Sequence, residues 1–532
     1  MSLQVQGLSY IHPNKDILFQ NISFTLAAGE KCAVVGNNGI GKSTLLGIIA
    51  GKIPSAAGSI VCDDSPYLVP QHFGQFDGVS VAAALGLSAK LKALSAILGG
   101  DGTEKDFETL NDEWDLQERL AEAFARWQIE HISPEMLMGN LSGGEKTRVF
   151  LAGMDIYNPS VVLMDEPTNH LDTTGRALLY EYIAHTNRTT VIVSHDRTLL
   201  NLLPEIYEMS PAGMQFYPMN YDEYRETADA ENEAKVIKLA NQQKELAKAE
   251  KAARKTMERQ QKHALRGEKQ SAGKCLARIS MGLLRDKSEA TTSRLNKVQQ
   301  EKMEAMRREV NEIRSSINEC PDIKINIGNS ALAGRKLLIE AKNVTFRYAG
   351  RDTLWMQHPL DLSIFSGERI RIQGDNGSGK STLLKLIAGA LQPSDGEIFR
   401  SEVMNILYLD QEYSCLDNEL TVYGQLEACS SMKPEYELKM LLNRFLFTSS
   451  TWDKKCGSLS GGEKMKLALC RLIVCDNAPD IIIADEPTNN IDIASMDILA
   501  ATLKNYKGTL LVVSHDEHFI QDVGIERIIS LA

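Results

Sequence analysis

The chain has 532 residues, 43% hydrophobic and 24% charged, a balance that fits two or three globular domains and excludes a disordered or fibrous chain. It contains no run of 18 apolar residues, so no helix is expected to span a membrane, and its nine cysteines form no C-x-x-C pair, which points to reduced thiols in a cytosol rather than a disulfide framework. The net charge of −12 is uneven: residues 225–320 hold 22 Lys/Arg against 15 Asp/Glu, and 251–287 alone hold 11 against 3.

Along the chain, "MSLQVQGLSY" begins directly with strand-like alternation and lacks the layout of a signal peptide, so a cytoplasmic location is expected. "KCAVVG", "VVLMD" and "TTVIVSH" are β-branched runs ending in turn or polar residues, each suited to a buried parallel strand. About 22 extra residues separate Gln71 from Ser142 relative to the matching stretch downstream, and they predict a helical subdomain near 89–115. From about Tyr221 to Lys262 there is no Pro or Gly and much Ala, Glu, Lys and Gln, the composition of a long helix. Met303, Met306, Val310, Ile313 and Ile317 form a heptad seam on a second helix, with Val236, Leu239 and Leu246 as a weaker stripe on the first. These two helices predict an antiparallel hairpin joined by the basic stretch 263–292. "RIRIQG", "DIIIAD" and "TLLVVSH" then repeat the first set of strands.

The repetition extends to chemistry. "LSGGEK" occurs at 141–146 and 459–464, "GNNGIGKST" at Gly36 is matched by "GDNGSGKST" at Gly374, "VVLMDEPTN" by "IIIADEPTN", and "VSHD" ends at Asp196 and Asp516. Four motifs in one order mean a duplicated domain of roughly 200 residues. The expected fold class is α/β, with domains at 1–218 and 336–532 and a helical hairpin linker at 219–335.

Gly36, Asn37, Asn38, Gly39, Ile40, Gly41, Lys42, Ser43 and Thr44, and likewise Gly374, Asp375, Asn376, Gly377, Ser378, Gly379, Lys380, Ser381 and Thr382, fit G-x-x-x-x-G-K-[ST] after an apolar strand. Such a loop wraps backbone N–H groups around phosphate at a helix N-terminus. Lys42 and Lys380 are expected on the β/γ-phosphates of ATP, and Ser43 and Ser381 on Mg²⁺. Asp165 and Asp485 end their strands where a Mg²⁺ aspartate belongs. Glu166 and Glu486 follow, placed to polarise an attacking water. Gln71 and Gln411, 29 and 31 residues past the loop lysines, are candidates to complete the Mg²⁺ shell. Ser142, Gly143 and Gly144, with Ser460, Gly461 and Gly462, form a second anion cradle per domain.

Taken together, the phosphate loop, Gln, LSGGE, Asp-Glu and His resemble the ABC ATPase domain in both halves. That resemblance implies head-to-tail packing, with Ser460 capping the ATP held by Lys42 and Ser142 the ATP held by Lys380. It also implies switch histidines at His195 and His515. An adenine-stacking residue is implied at Tyr348, and His12 occupies the matching first-half position with Tyr10 beside it. "DEPTNHLD", "DEPTNNID" and "YPMNYDEYRE" are similar to the ABC-F family of soluble twin ATPases, although Ile491 replaces the usual Leu. The family implies a monomer with an intramolecular ATP sandwich, acting on the ribosome in translation or antibiotic resistance. Its linker tip would meet rRNA, with tRNA as a second target. The basic tip suits nucleic-acid phosphates. Two other classes are a fused ATPase pair for a membrane transporter and a DNA-repair or chromosome ATPase. The absence of a zinc-type Cys cluster and the short linker weigh against the latter.

Overall fold

The computed structural model describes residues 2–13, 15–210, 213–271, 301, 303–311, 313, 335–348, 353–401, 404–410, 413–430, 433–445, 447–475, 479–489 and 491–531, without the side chains of 256, 257, 260, 261 and 263–271. It divides into two compact units, Met1–Tyr221 with Pro321–Ala532, and Asp222–Cys320.

In the first unit, the β-branched runs form central strands. Tyr67–Val69, Val161–Asp165, Thr189–Val193, Lys31–Val35 and Glu205–Ser210 lie side by side in that order and in parallel, and Gly213–Tyr217 closes the edge antiparallel. The second copy repeats the order with Ile406–Leu409, Ile481–Asp485, Thr509–Val513, Arg369–Gln373 and Arg527–Ser530. Strands Val161–Asp165 and Thr189–Val193 are buried at every position, as expected of parallel strands covered on both faces.

An antiparallel sheet stands against each parallel one: Ile17–Leu26, Leu3–Ile11 and Ala57–Cys62 in the first copy, and Leu360–Phe365, Leu337–Arg347 and Asp395–Arg400 in the second. The core between them takes Leu3, Val5 and Phe24 from one sheet and Val34, Leu163 and Val191 from the other. Leu45 and Leu46 of helix Lys42–Ile49 are locked into that core, which fixes the loop that precedes them. The first copy's extra length is the helix pair Ser88–Leu98 and Glu104–Leu110, which starts one residue before the range the spacing predicts and ends within it.

The second unit contains the helix Tyr221–Ser271, nine residues longer than the composition indicates, and helical residues at 301, 303–311 and 313. They run antiparallel: Gln242 Nε2 donates to Glu309 Oε1 at 2.5 Å, and Arg307 Nη2 donates to Glu250 Oε1 at 2.8 Å. Met303, Met306, Val310 and Ile313 are the half-buried positions of their helix, so the predicted seam is the packed face. The stripe on the first helix is corrected. Val236 is 50% exposed, and the half-buried positions include Lys235, Leu239, Gln242, Leu246, Ala249 and Ala253, at spacings of four and three. Ile317 and the segment 272–300, which includes Lys274 and Arg278, lie outside the described residues. Among the described residues, no helix is long and apolar enough to cross a membrane.

Candidate active site

Three adjacent parallel strands deliver the chemistry at their C-terminal ends, where open α/β sheets bind ligands. Lys31–Val35 leads into the loop Gly36–Gly41, Val161–Asp165 ends at Glu166, and Thr189–Val193 leads to His195. Gly36, Gly39 and Gly41 have φ of 152°, 80° and 106°, and a β-carbon at Gly41 would stand within 3 Å of Leu18 and Phe19. The loop therefore requires glycine, which gives it the backbone freedom a phosphate cradle needs. Lys42 Nζ donates to the carbonyls of Gly36 and Asn37 at 2.6 and 3.2 Å, and Lys380 repeats this with Gly374 and Asp375 at 2.7 and 3.1 Å. Burial holds both lysines below their usual pKa. Ile40 packs on the first core, and the Ser378 carbonyl accepts from Trp355 Nε1 at 3.0 Å.

Glu166 and Glu486 adopt left-handed backbones, φ 50° and 49°, where non-glycine residues are uncommon. The turn is held by Glu166 N–H to Val193 O at 2.8 Å and Glu486 N–H to Val513 O at 2.9 Å. Each carboxylate reaches the histidine of the next strand: Glu166 Oε1 lies 3.3 Å from His195 Nε2, and Glu486 Oε1 lies 3.3 Å from His515 Nε2. Burial pushes Glu166 up to about 8, opposed by Lys42, and Glu486 up to about 7, opposed by Arg176 and Lys380. Burial and the loop lysines hold His195 down to about 3 and His515 down to about 4, so both rings are neutral at pH 7. His195 Nε2 also meets Asn38 Oδ1 at 3.1 Å, which fixes its proton on that nitrogen.

The donor set fits a hard cation beside phosphate. The Ser43 hydroxyl bonds Asp165 and that of Ser381 bonds Asp485, while Asp165 Oδ1, Glu166 Oε1 and Glu486 Oε1 are buried without a hydrogen-bond donor. Gln71 follows strand Tyr67–Val69, whose Val69 pairs with Met164, so it stands at the same edge as Asp165. Gln411 lies outside the described residues.

The signature segments cap their helices reciprocally. Ser142 Oγ donates to Glu145 Oε2 at 2.7 Å and accepts Glu145 N–H at 3.3 Å, and Ser460 does the same with Glu463 at 2.8 and 3.3 Å. Each faces the other domain's loop: a β-carbon on Gly462 would stand 3.7 Å from Asn38 Nδ2, and one on Gly144 would stand 3.1 Å from Asn376 Nδ2. Asn376 Nδ2 donates to His170 O at 3.1 Å across the same boundary. Thr382 Oγ1 meets the Tyr348 hydroxyl at 3.1 Å, and His12 stands edge-on to Tyr10 at 5.4 Å. Gly143, Gly461, Gly377, Gly379 and Thr44 complete the loops named from the sequence.

Several site residues were given no role from the sequence, although "DEPTNHLD" and "DEPTNNID" end in Asp172 and Asp492. Asp492 Oδ2 accepts the N–H of Asn38 at 3.4 Å from across the boundary, and Asp172, its repeat, lies close to Lys380 and His515. Both begin helices as N-caps, a signal readable in "HLDTTG" and "NIDIAS". The Tyr408 hydroxyl donates to Asp485 Oδ2 at 2.9 Å. Arg176 lies buried between the two histidine segments.

This architecture is that of a twin P-loop ATPase in which each phosphate loop lies beside the other half's signature helix. The ABC transporter family matches residues 19–169 and 357–489. ABC transporter F family member 5 of Arabidopsis thaliana is 30% identical over 545 residues, covering 97% of this chain and 72% of the relative. ATP-binding protein Uup of Escherichia coli K12 is 27% identical over 536 residues, covering 96% of this chain and 77% of Uup. The chain belongs to the ABC-F family and is an ATP-binding ATP hydrolase. Among solved structures, the archaeal ribosome recycling factor aABCE1, in complex with ribosomal stalk protein aP1, superposes with a TM-score of 0.59 at 20% identity, over 98% of this chain and 87% of that one, a likeness of fold.

Proposed function

We propose that the chain is a cytoplasmic, monomeric ATPase that hydrolyses two ATP between its two ATPase domains and uses that cycle to act on the ribosome. The observation that carries the reading is the closeness of Gly462 to Asn38 and of Gly144 to Asn376, which sets each phosphate loop against the other half's signature segment. The ribosome enters from two sides. The linker concentrates positive charge at 251–287 in an otherwise acidic chain, and a structural neighbour is described as a ribosome recycling factor.

In this reading Lys42 and Lys380 exchange their loop carbonyls for phosphate oxygens. Glu166 and Glu486, as carboxylates beside the phosphate-loop lysines, take a proton from the water that attacks the γ-phosphorus. The new P–O bond forms as the bridging P–O bond breaks, releasing ADP and phosphate. His195 and His515, neutral, donate a hydrogen bond to the γ-phosphate. Ser142 with Gly143 and Gly144, and Ser460 with Gly461 and Gly462, close over the ATP bound by the other half. Tyr348 and His12 flank adenine. Ser43, Asp165 and Gln71 in one site, and Ser381, Asp485 and Gln411 in the other, would hold Mg²⁺, which would supply neutralisation of phosphate charge.

Salt-titrated co-sedimentation with ribosomes tests the partner. A variant with Arg259, Lys262, Arg266, Lys269, Lys274 and Arg278 neutralised should bind more weakly, and its log–log salt slope should fall by roughly 0.7–0.9 for each phosphate no longer neutralised. Basal hydrolysis should stay within about twofold. Equal binding across the titration would sink the tip's role, and pelleting with membranes instead of ribosomes would favour a transporter subunit.

A further inference from the structure

The two sites are built from a repeat, yet Arg176 breaks the symmetry at the domain boundary. Asp172 and Asp492 are repeats of each other, so Arg176, four residues after the first, corresponds to Met496, four after the second. Both are buried, at 9% and 4% exposure. Arg176 Nη1 donates to Asp196 Oδ2 at 3.2 Å in its own domain and reaches the carbonyl oxygen of His515 in the other at 3.5 Å, while Nε donates to Leu171 O at 3.3 Å. Met496 offers a thioether at the corresponding place, with no N–H to give a carbonyl.

The second site has a use for this contact. His195 Nε2 is held by Asn38 Oδ1 at 3.1 Å, whereas His515 Nε2 lies 3.3 Å from Glu486 Oε1, as His195 does from Glu166, but makes no hydrogen bond. The ring of His515 thus lacks the tether of its counterpart, and its main chain gains one from across the boundary. The guanidinium also adds a positive charge near Glu486, together with Lys380, and opposite in sign to Asp485. Asp196 does not depend on Arg176 alone. The Tyr180 hydroxyl donates to its Oδ2 at 2.5 Å, and its Oδ1 accepts Leu199 N–H at 3.2 Å.

We infer that Arg176 is a positioning residue lent by the first domain to the second ATP site, where it holds the His515 segment in register with Glu486; the His195 segment meets the second domain through a different group, Arg197, which pairs with Asp497 and Asp522. The inference rests on the assignment of Glu486 and His515 to hydrolysis at the second site.

The test separates the sites. Glu166→Gln leaves the second site competent, and Glu486→Gln leaves the first. Arg176→Met, which copies the symmetry-related residue, is placed in each background, and kcat and KM for ATP are measured. In the Glu166→Gln background kcat should fall about tenfold with KM within about twofold, the mark of misplaced catalytic groups rather than weakened binding. In the Glu486→Gln background both constants should stay within about twofold. Arg176→Lys, which keeps the charge and a donor, should recover most of the missing kcat, and a fold-damaged protein would not show that rescue. An equal fall in both backgrounds, or an undiminished second site, overturns the inference. Full hydrolysis by the double Glu variant would sink the catalytic assignment itself, and the inference with it.

Discussion

The backbone N–H of Asn38 points at the carboxylate of Asp492, 454 residues further along the chain, at 3.4 Å. The same carboxylate begins helix Ile493–Asn505 by accepting the N–H of Ser495 at 2.7 Å. One side chain therefore ends a loop in its own domain and touches the phosphate loop of the other. Asp492→Asn separates these roles, because Asn caps helices about as well as Asp. The melting temperature should change by less than about 2 °C, while kcat of the first site, read in a Glu486→Gln background, should fall about tenfold for removal of a charge-assisted hydrogen bond worth ~1.5 kcal/mol. An unchanged kcat would make the interaction incidental.

Glu166→Gln combined with Glu486→Gln should retain ATP binding and lose ~10²–10⁴ in turnover, the cost of removing a general base. Filter binding of labelled ATP beside steady-state phosphate release gives the two numbers. With uncleaved ATP between the halves, this variant should also stay longer on ribosomes than wild type.

The buried acids and histidines set opposite limbs of the stability curve of the ATP-free protein. Glu166 and Glu486 titrate at about 8 and 7 when folded, against a reference of 4.5. Between those values the folded chain keeps protons that the unfolded chain has released, so stability falls as pH rises. His195 and His515 titrate at about 3 and 4 when folded, against 6.5, so below that reference the unfolded chain binds more protons and stability falls as pH drops. Maximal stability should therefore lie on the mildly acidic side. Glu166→Gln should stabilise by ~1–3 kcal/mol at about pH 8.5 and by almost nothing at about pH 5. Denaturant melts at the two pH values decide it, and a gain independent of pH would contradict the burial of an ionisable group.

The linker seam offers a paired control. Leu239 is half-buried on the packed face and Val236 is exposed. Leu239→Asp should loosen the helix pair and lower ellipticity or protease resistance of the linker, whereas Val236→Asp should have little effect, as surface changes generally stay within ~0.5 kcal/mol. The reverse ranking would restore the stripe that hydropathy alone indicates.

The strands, phosphate loops and strand-end acids were legible in the sequence because short local patterns dictate them: a β-branched run, a glycine spacing, a carboxylate pair. The cross-domain contacts of Asp492 and Arg176 were not, because their partners are contributed by the other half of the chain and only three-dimensional packing brings them together. Val236 misled for a different reason. The packed face of that helix includes Lys235, Gln242, Ala249 and Ala253, so its apolar signal is too thin to set the phase. The Ser142 and Ser460 hydroxyls read as free phosphate donors, yet each is engaged by a glutamate three residues on, and ATP must compete with that bond.

The Gln242–Glu309 bond inside an otherwise repeating seam works as a vernier mark, since a seven-residue pattern alone would tolerate slippage by a whole heptad. At 1.5 Å per residue, the 51-residue helix is about 76 Å long, and excising one heptad from each strand of the hairpin outside that mark would shorten it by about 10 Å while keeping both faces in phase. Excising four residues instead would leave nearly the same length but turn the tip by a fraction of a revolution, out of phase with the seam. A graded series of such deletions would convert the hairpin into an adjustable ruler, and the reach at which its effect on a partner vanishes would measure the distance the natural helix has to bridge.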